Sequence, residues 1–129
     1  MEISNECKPL PRSVASIDGL DVCDFDGEGY VRAVTFAHWR VAFLNHAERF
    51  AALTYIERHL QTDEVFVLLE GRARLVIGES LELIEMEPNR LYNVRKGIWH
   101  QIITMPGTHC LVIENSDTDH KNSERKDIK

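Results

Sequence analysis

Within YIERHLQTDEVFVLLEG (55–71), a carboxylate, an imidazole and a second carboxylate stand at Glu57, His59 and Glu64. Charged groups of this kind are costly to bury unless something pairs with them, so an apolar run that opens behind them marks a polar site. Read as a strand over 53–60, the segment places Glu57 and His59 on one face, because strand side chains alternate. A turn through Gln61, Thr62 and Asp63 follows, and Glu64 opens a second strand with Glu64, Phe66, Leu68 and Glu70 on one side. Gly71 ends that strand, as at a turn needing positive φ or a close backbone approach. Two neighbouring strands thus aim an imidazole and two carboxylates into one space. Asp63 faces the other way by parity and reads as a turn residue.

The elements that must position these groups also read as strands. Residues 30–36, 39–45, 72–78, 81–86, 98–104 and 109–115 alternate or run apolar and are rich in β-branched and aromatic side chains. Gly27, Gly29, Gly71, Gly78, Pro88-Asn89, Gly97 and Pro106-Gly107 punctuate them. Many short strands with regular turn signals predict an all-β sandwich or barrel. Residues 46–52 read as a loop or helical turn to about 51 before the strand begins. The stretch 116–129 has one apolar residue, Ile128; it buries too little to offset its ordering entropy and is expected to be a flexible polar tail. Residues 1–115, with a lead-in containing Pro9 and Pro11, form the single expected domain.

Composition narrows the function classes. The chain has 129 residues, net charge −6 and no cluster of Lys and Arg, so the footprint of a nucleic-acid binder is missing. No stretch approaches the roughly 18 consecutive apolar residues of a membrane helix, and the N-terminus lacks the apolar centre of a signal peptide. Cys7, Cys23 and Cys110 are odd in number and widely spaced. That argues against structural disulfides and for a reducing, cytoplasmic setting.

Glu57-x-His59-x4-Glu64-x6-Gly71, followed by Gly97-x2-His100, resembles the two-motif signature of the cupin superfamily. That signature's first motif is a His-x-His pair followed by Glu and Gly; its second ends in Gly-x2-His and an Asn. Glu57 stands where the first histidine would. Ala51 replaces the leading glycine of the first motif. In the second motif Asn89 replaces the leading glycine, Arg95 the proline and Thr104 the closing asparagine. The resemblance implies a single antiparallel β-barrel of jelly-roll type, made of two sheets, with its ligands pointing inward. It further implies a divalent metal ion held by His59, Glu64 and His100, with Glu57 in the fourth place. Two histidines and a carboxylate with open positions suit non-haem iron, and the second carboxylate shifts the expectation to Fe, Mn or Zn.

Two other roles for Glu57 stay open at this point: a catalytic acid–base group beside a three-ligand metal, or an ion-pair partner of Arg58, Arg72 or Arg74. Tyr92 and Trp99 read as core or rim aromatics, Arg95 as a surface residue or a contact for an anionic substrate, and His46 as a remote candidate for the cavity. His38, His109 and His120 have no spacing that ties them to the cluster. The resemblance implies a metal-dependent enzyme acting on a small polar metabolite: an isomerase or epimerase, a dioxygenase, or a lyase. The alternatives are a non-catalytic small-molecule binding or sensing module and an interaction protein whose His and Glu are surface groups. The expected partners are that small molecule and a second copy of the chain as a homodimer, through open sheet edges; no nucleic acid and no membrane are expected.

Overall fold

The computed structural model describes residues 18–128. Cys7 and the lead-in with Pro9 and Pro11 lie outside these residues. Ten strands follow one another: β1 (Gly29–Phe36), β2 (Trp39–Asn45), β3 (Tyr55–His59), β4 (Glu64–Glu70), β5 (Ala73–Ile77), β6 (Glu82–Glu85), β7 (Leu91–Val94), β8 (His100–Thr104), β9 (His109–Asn115) and β10 (Ser123–Asp127). A single 3-10 turn at Glu48–Phe50 separates β2 from β3, as the ambiguous 46–52 segment suggested.

The strands form two antiparallel sheets of five, ordered β1-β2-β9-β4-β7 and β10-β3-β8-β5-β6. The double-sheet jelly roll is therefore present, but its sheets face each other without closing into a hydrogen-bonded barrel. β1 and β7 remain edges of the first sheet, and β10 and β6 edges of the second. Alternation decides what faces inward. Ala42 and Leu44 of β2, Phe66 and Leu68 of β4, Ala73 and Leu75 of β5, Ile102 of β8, and Cys110 and Val112 of β9 pack with Phe50, Met86 and Val94 into one core.

Gly71, at the β4–β5 turn, has φ +90°, and a Cβ there would meet the Thr108 Cα at 2.5 Å. Both the backbone angle and the close approach require glycine. The Thr108 hydroxyl donates to the Arg72 carbonyl at 2.7 Å and locks the two turns together.

Two expectations fail. Residues 123–127 are no loose tail: β10 pairs antiparallel with β3, with Ser123 opposite His59 and Arg125 opposite Glu57. Composition counts only apolar burial, whereas this segment is ordered by a backbone ladder and local polar contacts. Asp119 Oδ1 accepts from the Lys121 N–H at 2.8 Å, Arg58 pairs with Glu124, and Thr118 is buried. Cys23 is disulfide-bonded, against the expectation of no structural disulfide, which spacing along the chain could not test. Cys110 is free, and burial pushes its thiol up to about 12. No helix among the described residues is long and apolar enough to cross a membrane.

Candidate functional site

Two rows of register partners, one on each sheet, build the site. In the first sheet Arg40 on β2 faces Glu114 on β9, which in turn faces Glu64 on β4. In the second, Arg125 on β10 faces Glu57 on β3, which faces His100 on β8. All six side chains line one cavity of about 280 Å³, together with His59 and Tyr30. The four expected site residues, Glu57, His59, Glu64 and His100, are thus brought together.

The floor is a buried carboxylate between two imidazoles. Glu64 Oε1 lies 2.7 Å from His100 Nε2 and 3.1 Å from His59 Nε2. The backbone fixes one tautomer. His100 Nδ1 stands 2.9 Å from the Ile98 carbonyl oxygen, which can only accept, so Nδ1 carries a proton. In the neutral ring Nε2 would then be a bare lone pair facing a carboxylate oxygen at 2.7 Å. Two acceptors at that distance require a cation between them, either a proton or a metal ion. His59 Nδ1 is held by the Ser123 hydroxyl of β10 at 2.7 Å, which orients the second ring.

Electrostatics follow this geometry. Burial pushes the Glu64 carboxyl up, but its hydrogen bonds with His100 and then His59 outweigh that and hold it well below the usual range. Burial pulls both imidazoles down, and the same carboxylate more than compensates, leaving each above its ordinary value. Burial, reinforced by the Glu64 charge, raises Glu114.

Glu114 is the site residue that sequence reasoning missed. Its Oε2 accepts from the Tyr30 hydroxyl at 2.6 Å and from Arg40 Nη2 at 2.9 Å. Its Oε1 is buried without a hydrogen-bond partner, 3.9 Å from His59 Nε2. A signal existed: alternation along 109–115 sets Cys110, Val112 and Glu114 on one face. Only the placement of β9 between β2 and β4, a nonlocal fact, aims that face at His59. Among the described residues two groups offer ligand atoms mutually within 4.8 Å, Glu57 with His59 and His100, and His59 with Glu64 and Glu114.

Glu57 pairs with Arg125 across a strand, at 3.9 Å, and not with Arg58, Arg72 or Arg74. Asp63 is the expected turn residue, accepting from the Lys96 N–H at 2.9 Å and the Asn93 amide at 3.1 Å. Asn89, in the place of a motif glycine, adopts φ +64°, the left-handed conformation asparagine tolerates best after glycine. Arg95 and Tyr92 line a separate cleft with Ile77, Ile84 and Leu91, so Arg95 does not reach the site. His46 is spent on Thr104 Oγ1, at 2.7 Å, and Trp99 lies beneath the Arg58 guanidinium. His120, given no role by spacing, lines the cavity mouth.

By sequence, no family model and no curated protein matches. Solved structures do. A cupin-2 domain protein from Shewanella frigidimarina superposes with a TM-score of 0.55 at 17% identity, over 70% of this chain and 84% of its own. Streptomyces Pac13, described as a unique nucleoside dehydratase, gives 0.61 at 7% identity, over 81% and 83%. KdgF from Halomonas sp. gives 0.57 at 9% identity, over 71% and 81%. At such identities a shared topology speaks for architecture, and by its architecture the chain is built on the cupin fold.

Proposed function

We propose that the cavity holds a divalent metal ion through His59, Glu64 and His100, and that the protein is an enzyme acting there on a small polar metabolite. The observation that carries this reading is the convergence of both Nε2 atoms on Glu64 Oε1, with each Nδ1 tied outward to oxygen. That is the arrangement by which outer partners orient metal-ligating imidazoles. The donors fit Fe, Mn or Zn, since imidazole and carboxylate suit these ions and no thiolate lines the cavity. The small-molecule dehydratase on the same frame supports an enzyme over a purely structural role.

A bound ion would supply Lewis-acid polarisation of a substrate carbonyl or hydroxyl oxygen. The chain's own residues do the rest. His59 and His100 stay fixed in orientation by Ser123 and the Ile98 carbonyl. Phe66 packs edge-on against His100, with centroids 6.0 Å apart. Glu57, half-buried on the cavity wall, takes a proton from the substrate or returns one, with Arg125 3.9 Å from its carboxylate.

One observation favours a second reading, acid–base chemistry without an ion: a proton satisfies the His100–Glu64 contact as well as a metal does. Elemental analysis separates the two. A stoichiometric divalent ion in the wild type, lost from His59→Ala and His100→Ala, supports the metal reading. A wild type that retains none when offered Fe, Mn, Ni and Zn sinks it and leaves the proton-bridged pair.

A further inference from the structure

We propose that Glu114 supplies the fourth protein donor to this ion, through Oε1, and that Glu57 is thereby left free to exchange protons. The inference rests on the metal site proposed above and assigns a role within it that the sequence motif gives to a different residue.

The Glu114 carboxylate is divided. Oε2 takes both available hydrogen bonds, from Tyr30 and Arg40, while Oε1 is buried and takes none. A buried acceptor without a partner is costly, and native proteins keep few of them without a reason. The orphaned oxygen is aimed at the site. It lies 3.9 Å from His59 Nε2, too far for a hydrogen bond. Two donors each about 2.1 Å from one ion stand roughly 3–4 Å apart, so this is a ligand-to-ligand spacing. A carboxylate oxygen of Glu114 also lies within 4.8 Å of ligand atoms of His59 and Glu64, as one of Glu57 does of His59 and His100.

Glu57 is set differently. Its side chain is 28% exposed, against 3% for Glu114, and its partner Arg125 is itself 61% exposed. A partly exposed carboxylate can exchange protons with solvent, whereas a buried one held by two hydrogen bonds is suited to hold a cation. Arg40 and Tyr30 act on Glu114 as positioning residues, fixing its rotamer through their hydrogen bonds to Oε2. The resulting set, two imidazoles and two fixed carboxylates, is rich in oxygen and suits Mn²⁺ or Fe²⁺ over thiophilic ions.

The test is a Mn²⁺ titration of the full chain, read as free Mn²⁺ by electron paramagnetic resonance. The variants are Glu114→Gln, Glu57→Gln, Tyr30→Phe and His59→Ala. Glu114→Gln should raise Kd at least about tenfold, Glu57→Gln by less than about threefold, and His59→Ala should abolish binding. Glu114→Gln takes the anion away from buried Arg40, so Tyr30→Phe is the companion: it frees Oε2 of one bond and leaves Oε1 in place. A folded Tyr30→Phe protein should show Kd raised severalfold. A folded Glu114→Gln protein with wild-type Kd overturns the assignment, as does a Glu57→Gln loss of equal size or an unchanged Kd in Tyr30→Phe. In those cases wild type still binds and His59→Ala does not, so the metal site survives. A wild type that binds no Mn²⁺, Fe²⁺ or Zn²⁺ overturns both.

Discussion

Glu57 on β3 and His100 on β8 stand directly opposite one another and are the single register pair that joins these two strands. The site thus sits where the second sheet is most thinly connected. The two partners differ in burial, so their removal should differ in cost. His100→Ala leaves the buried Glu64 carboxylate with one imidazole in place of two and should cost on the order of 3 kcal/mol. Glu57→Ala removes a half-exposed group whose pairing with Arg125 is weak and should stay within about 1 kcal/mol. Urea unfolding of the two metal-free variants measures both, and equal costs contradict the assignment of His100 and Glu64 as one buried pair.

The stability of the metal-free protein should depend on pH in a stated direction. His59 and His100 are raised above 6.5, so their stabilisation is complete below that pH and lost as pH rises through their folded values. Glu64 is lowered from 4.5 to about 2, so its contribution is complete above 4.5 and lost as pH falls toward 2. Glu114, raised by burial, opposes folding increasingly as pH climbs past 4.5. The chelated protein should therefore melt at a higher temperature at pH 5.5 than at pH 8. Ion binding displaces protons, so saturating Mn²⁺ should shrink or reverse that difference. A chelated protein that is more stable at pH 8 contradicts the protonated-histidine floor.

Gly71→Ala should be among the most damaging single-atom additions in the chain. Positive φ alone disfavours alanine by on the order of 1 kcal/mol, and the new Cβ would lie 2.5 Å from the Thr108 Cα and 2.8 Å from the Gly107 carbonyl oxygen. A total loss of about 3 kcal/mol, read by chemical denaturation, is the expected result. A loss under about 1 kcal/mol would show that the 70–72 and 106–108 turns separate freely.

Ser123→Ala tests whether β10 belongs to the site. It removes the hydroxyl that orients His59 and should weaken metal binding about tenfold or more, with a stability loss of only about 1 kcal/mol. Calorimetric titration and a thermal melt read the two quantities separately. Unchanged affinity makes β10 a bystander.

What the sequence made legible was what depends on short range. Alternation set the bounds of most strands within a residue or two and placed Glu57 with His59 on one face. Motif spacing then joined His100 to them across 40 residues. β7 was not read, because LYNV carries only four residues and pairs on one side with β4. β10 was not read because its order comes from Ser123, Arg125 and Glu124 meeting partners on β3, contacts that composition does not display. Alternation turns Glu114 inward, but its role and that of Arg40 were not legible. Their meaning lies in the order β2-β9-β4, and no local pattern announces which strands become neighbours.

The division of donors between two facing sheets has a mechanical consequence. Glu64 and Glu114 belong to one layer of the sandwich, His59 and His100 to the other. An ion held by both sets is a rivet through the two layers, and the layers cannot part until it is released. Occupancy should then slow global unfolding far more than it speeds folding, so the loaded protein would outlast the empty one under proteolysis even where their native forms are identical.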